Sequence, residues 1–131
     1  MVICSRTQIE IDSTVEEIKQ ATKTGVDDRI IGIRCDVSNS FEVDRLVKST
    51  IERTKSIDIL VNNAGIVYVK KLIDTSEDEW DKTVDINLKG SFLCTRAVLP
   101  FMTKNRSGVI INVSSGEILY VCQFAIKNVR T

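Results

Sequence analysis

An α/β fold built on a parallel sheet is what this chain of 131 residues predicts. Two observations carry that reading. Short β-branched runs alternate with longer stretches of helical periodicity, in the order strand, helix, strand, helix, strand, long helix, strand. And the apolar run from Ile57 to Val61 stops abruptly at Asn62-Asn63-Ala64-Gly65. That run has the form of a central strand, buried on both faces, whose carboxyl end opens onto a crevice. Two adjacent Asn side chains carry too many donors and acceptors to bury unpaired, so the residues after Val61 are expected outside the core. Gly65 allows a sharp turn or a close approach to a ligand. Taken alone, these four residues fit an ordinary strand-to-turn transition equally well.

Val2 to Ser5 is a short strand with Arg6 at its end. Thr7 and Glu10 fit a capping box, and Ile11, Val15, Ile18 and Thr22 then recur at helical spacing until Gly25. Arg29 to Cys35 is a second strand, ending at Asp36-Val37. Ser38-Asn39-Ser40 starts a helix whose apolar face is Val43, Leu46, Val47, Thr50 and Ile51. After the Ile57–Val61 strand, a loop through Tyr68 and Asp74 leads to a second capping box, Ser76 with Glu79. Trp80, Val84, Leu88 and Phe92 come next at four-residue spacing and are expected to pack against the sheet. This helix should run to about Lys104 and bend at Pro100, which removes an amide donor. Asn105 to Gly108 is a turn, and Val109 to Val113 is the last strand, ending at Ser114-Ser115-Gly116.

Composition narrows the chemistry. Eighteen basic and 18 acidic residues balance to a formal charge of zero. With no run of like charge, neither nucleic acid nor an anionic membrane is an expected partner. No apolar stretch reaches the roughly 20 residues a membrane span needs. The first residues lack a secretory signal, so a cytoplasmic chain is expected. Cys4, Cys35, Cys94 and Cys122 form no C-x-x-C pair, and there is no His. That excludes a Cys/His zinc site and His-dependent triads, makes a four-Cys metal site improbable, and leaves reduced, mostly buried thiols. Catalysis would rest on Ser, Tyr, Lys, carboxylates or a cofactor. No repeat, low-complexity segment or linker divides residues 1–131, which read as one domain.

Three stretches together resemble the short-chain dehydrogenase/reductase family. They are Asn62-Asn63-Ala64-Gly65, Asp85-Ile86-Asn87-Leu88-Lys89-Gly90, and Gly108-Val109-Ile110-Ile111-Asn112-Val113-Ser114-Ser115. They occur in the family's order and spacing, and the likeness covers roughly residues 1 to 116. It implies a Rossmann-type, doubly wound parallel sheet that moves hydride between NAD(P) and an alcohol or carbonyl substrate.

The resemblance also implies roles. Asn63, Ala64 and Gly65 would shape the cofactor crevice, and Asp36 and Val37 would contact adenine. Asn87 would organise a proton relay. Ser115, with Ser114 as the alternative, would hydrogen-bond the substrate oxygen. Ser5-Arg6 stands where the family chooses its cofactor. A guanidinium pairs a phosphate bidentately, so Arg6 favours NADP, although NAD also fits. Each residue has a plainer reading: Arg6 a solvated charge, Asn87 a solvent-facing or helix-bending amide, Ser115 a turn residue.

The sequence departs from the family at both ends. Val2 to Arg6 aligns with the end of the family's second strand, so its first strand, with the Gly-rich turn that holds pyrophosphate, has no counterpart. A gap is therefore expected between Val2–Ser5 and Ile57–Val61. The family's Tyr-x-x-x-Lys has no match either. Its Tyr, about thirteen residues beyond the Ser, would fall at Asn128 and its Lys beyond Thr131, and Tyr120 is followed by Phe124. Glu117 to Thr131 resembles nothing in the family. The expectation is an incomplete Rossmann-type domain, lacking the first strand and the C-terminal strands, with little activity alone. A fragment, or a mis-translated or alternatively processed gene product, would account for it. The alternative function is a non-catalytic Rossmann-like interaction or regulatory module. A homo-oligomer formed through the long helix would fit it.

Overall fold

The computed structural model describes residues 1–22 and 30–114. Strand β1 (Val2–Ser5) leads into helix α1 (Gln8–Thr22) and strand β2 (Ile31–Arg34). Helix α2 (Ser40–Thr54) and strand β3 (Ile59–Asn62) come next. After a short 3-10 turn at Leu72–Asp74 come helix α3 (Glu77–Val84), a single π turn (Asp85–Lys89), helix α4 (Gly90–Asn105) and strand β4 (Val109–Asn112). The alternation is the expected one; β1 keeps its expected bounds and the other strands differ by at most two residues at either end.

Local chemistry sets the helix starts. Asn39 Oδ1 accepts from the Phe41 and Glu42 amides at 3.0 and 3.3 Å and begins α2. Ser76 and Glu79 form the expected reciprocal box at the start of α3. The box expected of Thr7 and Glu10 is replaced: Glu10 accepts from the Ser5 hydroxyl at 2.7 Å, and the Thr7 amide donates to Ser5 Oγ at 3.4 Å. Ser5 ends its strand within reach of both and takes the role first. Gly25 and Arg29 lie outside the described residues.

The strands pair in parallel, Val2 with Ile31 through Ser5 with Arg34, and Ile59 with Val109 through Asn62 with Asn112. Among the described residues these are two separate pairs, with no ladder between β1 and β3. The expected gap is therefore present. Helices α2 and α4 pack on the second pair and on Cys35, just past the end of β2. Cys35, Val43, Leu93 and Cys94 make one buried cluster, and Val47, Val98 and Met102 make another. Leu60 and Ala97 pack against both, so the helical layer is continuous. On the other side of the first pair, Ile11 is buried against Gly32, where an added Cβ would stand 2.2 Å from Ile11 Cγ2.

Two burial expectations are corrected. Strand β3 is not buried on both faces. Leu60 turns inward, while Ile59 and Val61 are exposed together with Val109, Ile111 and Val113. The described helices that pack on this pair, α2 and α4, touch only one of its faces. Trp80, Leu88 and Phe92 do not pack on the sheet either: they are 58, 69 and 57% exposed. A strict four-residue spacing drifts about 40° per step around an α-helix, and the π turn interrupts it. The buried face runs instead through Ile86, Gly90, Leu93, Cys94 and Val98. Gly90 is required there, because a Cβ would lie 2.8 Å from Val37 Cγ2. Pro100 lies inside α4.

Candidate active site at the strand ends

Parallel strands aim their carboxyl ends the same way, and here the ends of β1, β2 and β3 meet. A cavity of about 210 Å³ is lined by Ser5 and Arg6 at the end of β1, Asp36 and Val37 after β2, and Ala64 and Gly65 after β3. Six of the residues expected at the cofactor site are thus brought together from three separate segments. A wider cavity of about 460 Å³ shares Arg6 and Asp36 with it and continues to Ser38, Tyr68, Lys82 and Asp85. Ile66 and Ile86 wall both.

Asp36 is held in place by its own turn. Its Oδ1 accepts from the Ser38 amide at 2.9 Å and the Ser38 hydroxyl at 2.7 Å. Burial opposes its ionisation, but the Ser38 bonds, then Arg6 and Arg34, hold its carboxyl below the usual range. The Asp36 amide in turn donates to Glu42 Oε2 at 2.9 Å. Arg34 Nε donates to the Arg6 carbonyl at 3.1 Å, which ties the end of β1 to β2. Ser5 lines the smaller cavity with its hydroxyl directed at Glu10.

Asn63 is exposed and borders neither cavity, whereas Asn62 is buried. The expectation that the residues after Val61 lie outside the core is corrected at Asn62. Its Nδ2 donates to Asn112 Oδ1 at 2.8 Å and to Thr95 Oγ1 at 3.2 Å. Pairing of its amide protons is what permits the burial.

Asn87 sits in the π turn directly beneath Gly65, and the position of a Gly65 Cβ would be 3.5 Å from its Oδ1. Its side chain bonds the backbone of Ile66, accepting from the N–H at 2.9 Å and donating to the carbonyl at 2.8 Å. The loop that walls the cavities is therefore fixed to the long helix. Further along, Lys70 bonds Glu79 at 2.7 Å and the Asp74 carbonyl at 3.3 Å. Glu79 is held down to about 2, first by Lys70 and then by Ser76.

Ser115 lies outside the described residues, and Ser114 is exposed beyond the end of β4. Cys35 and Cys94 are buried, and desolvation pushes their thiols up to about 12 and about 11. Cys4 is exposed, although the atoms crowding it still raise its thiol, so none of the three is primed as a nucleophile. Among the described residues no cluster fit for a metal ion occurs, and no helix is long and apolar enough to cross a membrane.

Ile66, Ile86, Tyr68 and Lys82 were not singled out from sequence. Ile86 stood inside a quoted motif, and Lys82 lies four residues before it. Helical spacing could have placed the pair on one face.

Known proteins share this fold. The short chain dehydrogenase family profile matches residues 1–123. The chain is 47% identical over 87 residues to the BbsD subunit of (2S)-((R)-hydroxy(phenyl)methyl)succinyl-CoA dehydrogenase from Thauera aromatica, covering 66% of this chain and 35% of that one. It is 42% identical over 104 residues to the 3-oxoacyl-(acyl-carrier-protein) reductase FabG of Staphylococcus aureus, covering 79% and 40%. The chain thus spans about a third to two fifths of the length of these relatives. Among solved structures, a short-chain dehydrogenase from Streptomyces avermitilis superposes with a TM-score of 0.74 at 29% identity, over 87% of this chain and 39% of that one. The crystal structure of gox2181 gives 0.80 at 31% identity, over 90% and 44%. With a partial Rossmann-type fold, strand ends that meet at one crevice and a profile match over nearly its whole length, the chain belongs to the short-chain dehydrogenase/reductase family.

Proposed function

We propose that this chain carries the adenosine-side half of a nicotinamide-cofactor site, in an oxidoreductase that moves hydride between NADP and an alcohol or carbonyl substrate. The observation that carries the reading is the convergence of Arg6, Asp36, Val37, Ala64 and Gly65 on one crevice. These residues fit an adenosine phosphate. Asp36 is an ionised acceptor for an exocyclic amine, Val37 and Ile86 give apolar walls, and Arg6 is a fixed cation for a phosphate. The bound cofactor would supply the hydride. NADP is favoured over NAD because Arg6 stands at the end of β1.

Asn87 holds the crevice loop. In the family its counterpart organises the proton relay, and that role is proposed here on resemblance alone, as is substrate hydrogen bonding by Ser115. Position 128 is Asn, where the family's Tyr would stand. An alkoxide left by hydride transfer therefore lacks its usual proton donor in this chain, and little turnover is expected of it alone. A cytoplasmic setting and a small-molecule substrate accompany the proposal.

Calorimetric titration of the purified chain with NADPH and NADH tests it. Saturable binding with NADPH preferred supports it, and absence of binding to either removes it.

One observation favours a second reading, an interaction module that associates through the long helix. Trp80, Leu88 and Phe92 expose large apolar surface along it. Light scattering after gel filtration separates the two: a specific dimer disrupted by Phe92→Glu supports association, and a monomer removes it.

A further inference from the structure

We propose that the gap between β1 and β3 is a docking slot for a β-strand donated by a separate polypeptide, apolar on both faces and parallel to its two neighbours. Hydrogen-bond direction carries the inference. In a parallel ladder a strand turns alternate residues toward each neighbour. Ile31 and Cys35 donate to the Met1 and Ser5 carbonyls at 2.9 Å. Ile3 and Ser5 therefore serve β2, and the N–H and C=O of Val2 and Cys4 point into the gap. Val109 and Val113 donate to the Asp58 and Asn62 carbonyls at 2.9 Å. Leu60 and Asn62 therefore serve β4, and Ile59 and Val61 face the gap from the other side. Among the described residues no strand pairs with either edge.

The two edges run the same way, because the carboxyl ends of β1 and β3 meet at one cavity. Both also stand over α4. Leu60 packs on the cluster that holds Leu93 and Cys94, and the Cys94 thiol, raised first by burial, is raised further by nearby Cys4. One interposed strand needs about 10 Å between its neighbours, and its alternating groups would satisfy both edges at once. Apolar side chains are required on both of its faces. On the helical side it would lie between Cys4 and Leu60. On the other it would lie between half-buried Ile3 and exposed Ile59 and Val61.

The test uses the whole chain and the synthetic peptide Lys-Lys-Val-Ile-Val-Ile-Lys. The control is Lys-Lys-Val-Pro-Val-Pro-Lys, which lacks alternate amide donors. With the first peptide alone, amide hydrogen exchange should slow about tenfold at Val2, Cys4, Ile59 and Val61, the upper scale of one hydrogen bond. Ile3 and Leu60, already in their ladders, should change less. Val61→Pro spares the β3–β4 ladder and removes a donor from the slot. It should weaken the peptide about tenfold, with cooperative melting retained. Protection of the four amides without peptide would overturn the slot, since the edges would then already be paired. So would equal binding of the two peptides, binding undiminished by Val61→Pro, or protection centred on Trp80 and Phe92.

Discussion

Asn87 spends both polar atoms of its side chain on the backbone of Ile66, accepting from the N–H at 2.9 Å and donating to the carbonyl at 2.8 Å. A side chain on the long helix thereby mimics a neighbouring strand and fixes the loop that closes the strand-end crevice. Asn87→Ala removes both bonds. A loss of about 1–2 kcal/mol is expected, together with weaker NADPH binding, since Ile66 walls both cavities. Asn87→Asp keeps the acceptor but sets a carboxylate oxygen against the Ile66 carbonyl, so it should cost at least as much as Ala. Urea melts of the two variants check this, and an Ala variant as stable as the parent would show that the pair does not hold the loop.

Gly32 has no room for a side chain. A Cβ there would meet Ile11 Cγ2 at 2.2 Å, and Ile11 is buried. Gly32→Ala is expected to cost about 1–3 kcal/mol through overpacking. Adding Ile11→Ala, which removes the Cγ2 methyl and leaves only the Cβ, 3.7 Å away, should cost less than the sum of the two single changes. Thermal melts of the three variants give the comparison, and strict additivity would mean the clash is relieved elsewhere.

The buried amide of Asn62 joins β3 to β4 and α4 through Asn112 and Thr95. Asn62→Ala leaves the Asn112 oxygen without this donor and should cost about 1–3 kcal/mol. Thr95→Ala removes only the longer bond at 3.2 Å and should cost less. Chemical denaturation ranks them, and the reverse order would mean that Thr95 carries the larger share.

Glu79 gives a pH dependence with a defined sign. Its carboxyl is lowered from 4.5 to about 2 by Lys70 and Ser76. A depressed carboxylate contributes stability that is fully present above the unfolded value and lost as pH falls through the folded one. The contribution should fade from about 4.5 down to about 2. In Lys70→Ala the Glu79 midpoint should move up toward 4.5, because its strongest partner is gone. Carboxyl-resolved NMR titration reads this directly. An unmoved midpoint would assign the shift to Ser76.

The legible features in the sequence were those whose causes are local. Ser76 with Glu79 and Asn39 with its two following amides act within three residues, so their spacing announces them. The strand ends were legible because an apolar run that stops at polar and small residues marks one, and three such ends carry Arg6, Asp36 and Gly65; the cofactor roles expected of these residues came from the family resemblance. The partner of Asn87 was not legible, since Ile66 is 21 residues away. The solvent side of β3 and the exposure of Trp80 and Phe92 depend on which faces other elements cover, a tertiary fact that periodicity does not carry. The π turn at Asp85–Lys89 has no composition of its own and changed the buried face of the long helix. Lys82 was passed over because a lone Lys on a helix is ordinarily a solvated charge.

The central claim is that an adenosine phosphate binds where β1, β2 and β3 end. Mapping amide NMR shifts of the chain on titration with NADPH tests it most directly. Saturable shifts grouped at Arg6, Asp36, Val37, Ala64, Gly65 and Ile86, absent in Arg6→Ala at the same concentration, are the predicted result. Binding that leaves these amides unmoved, or shifts centred on the exposed face of Trp80 and Phe92, would contradict it.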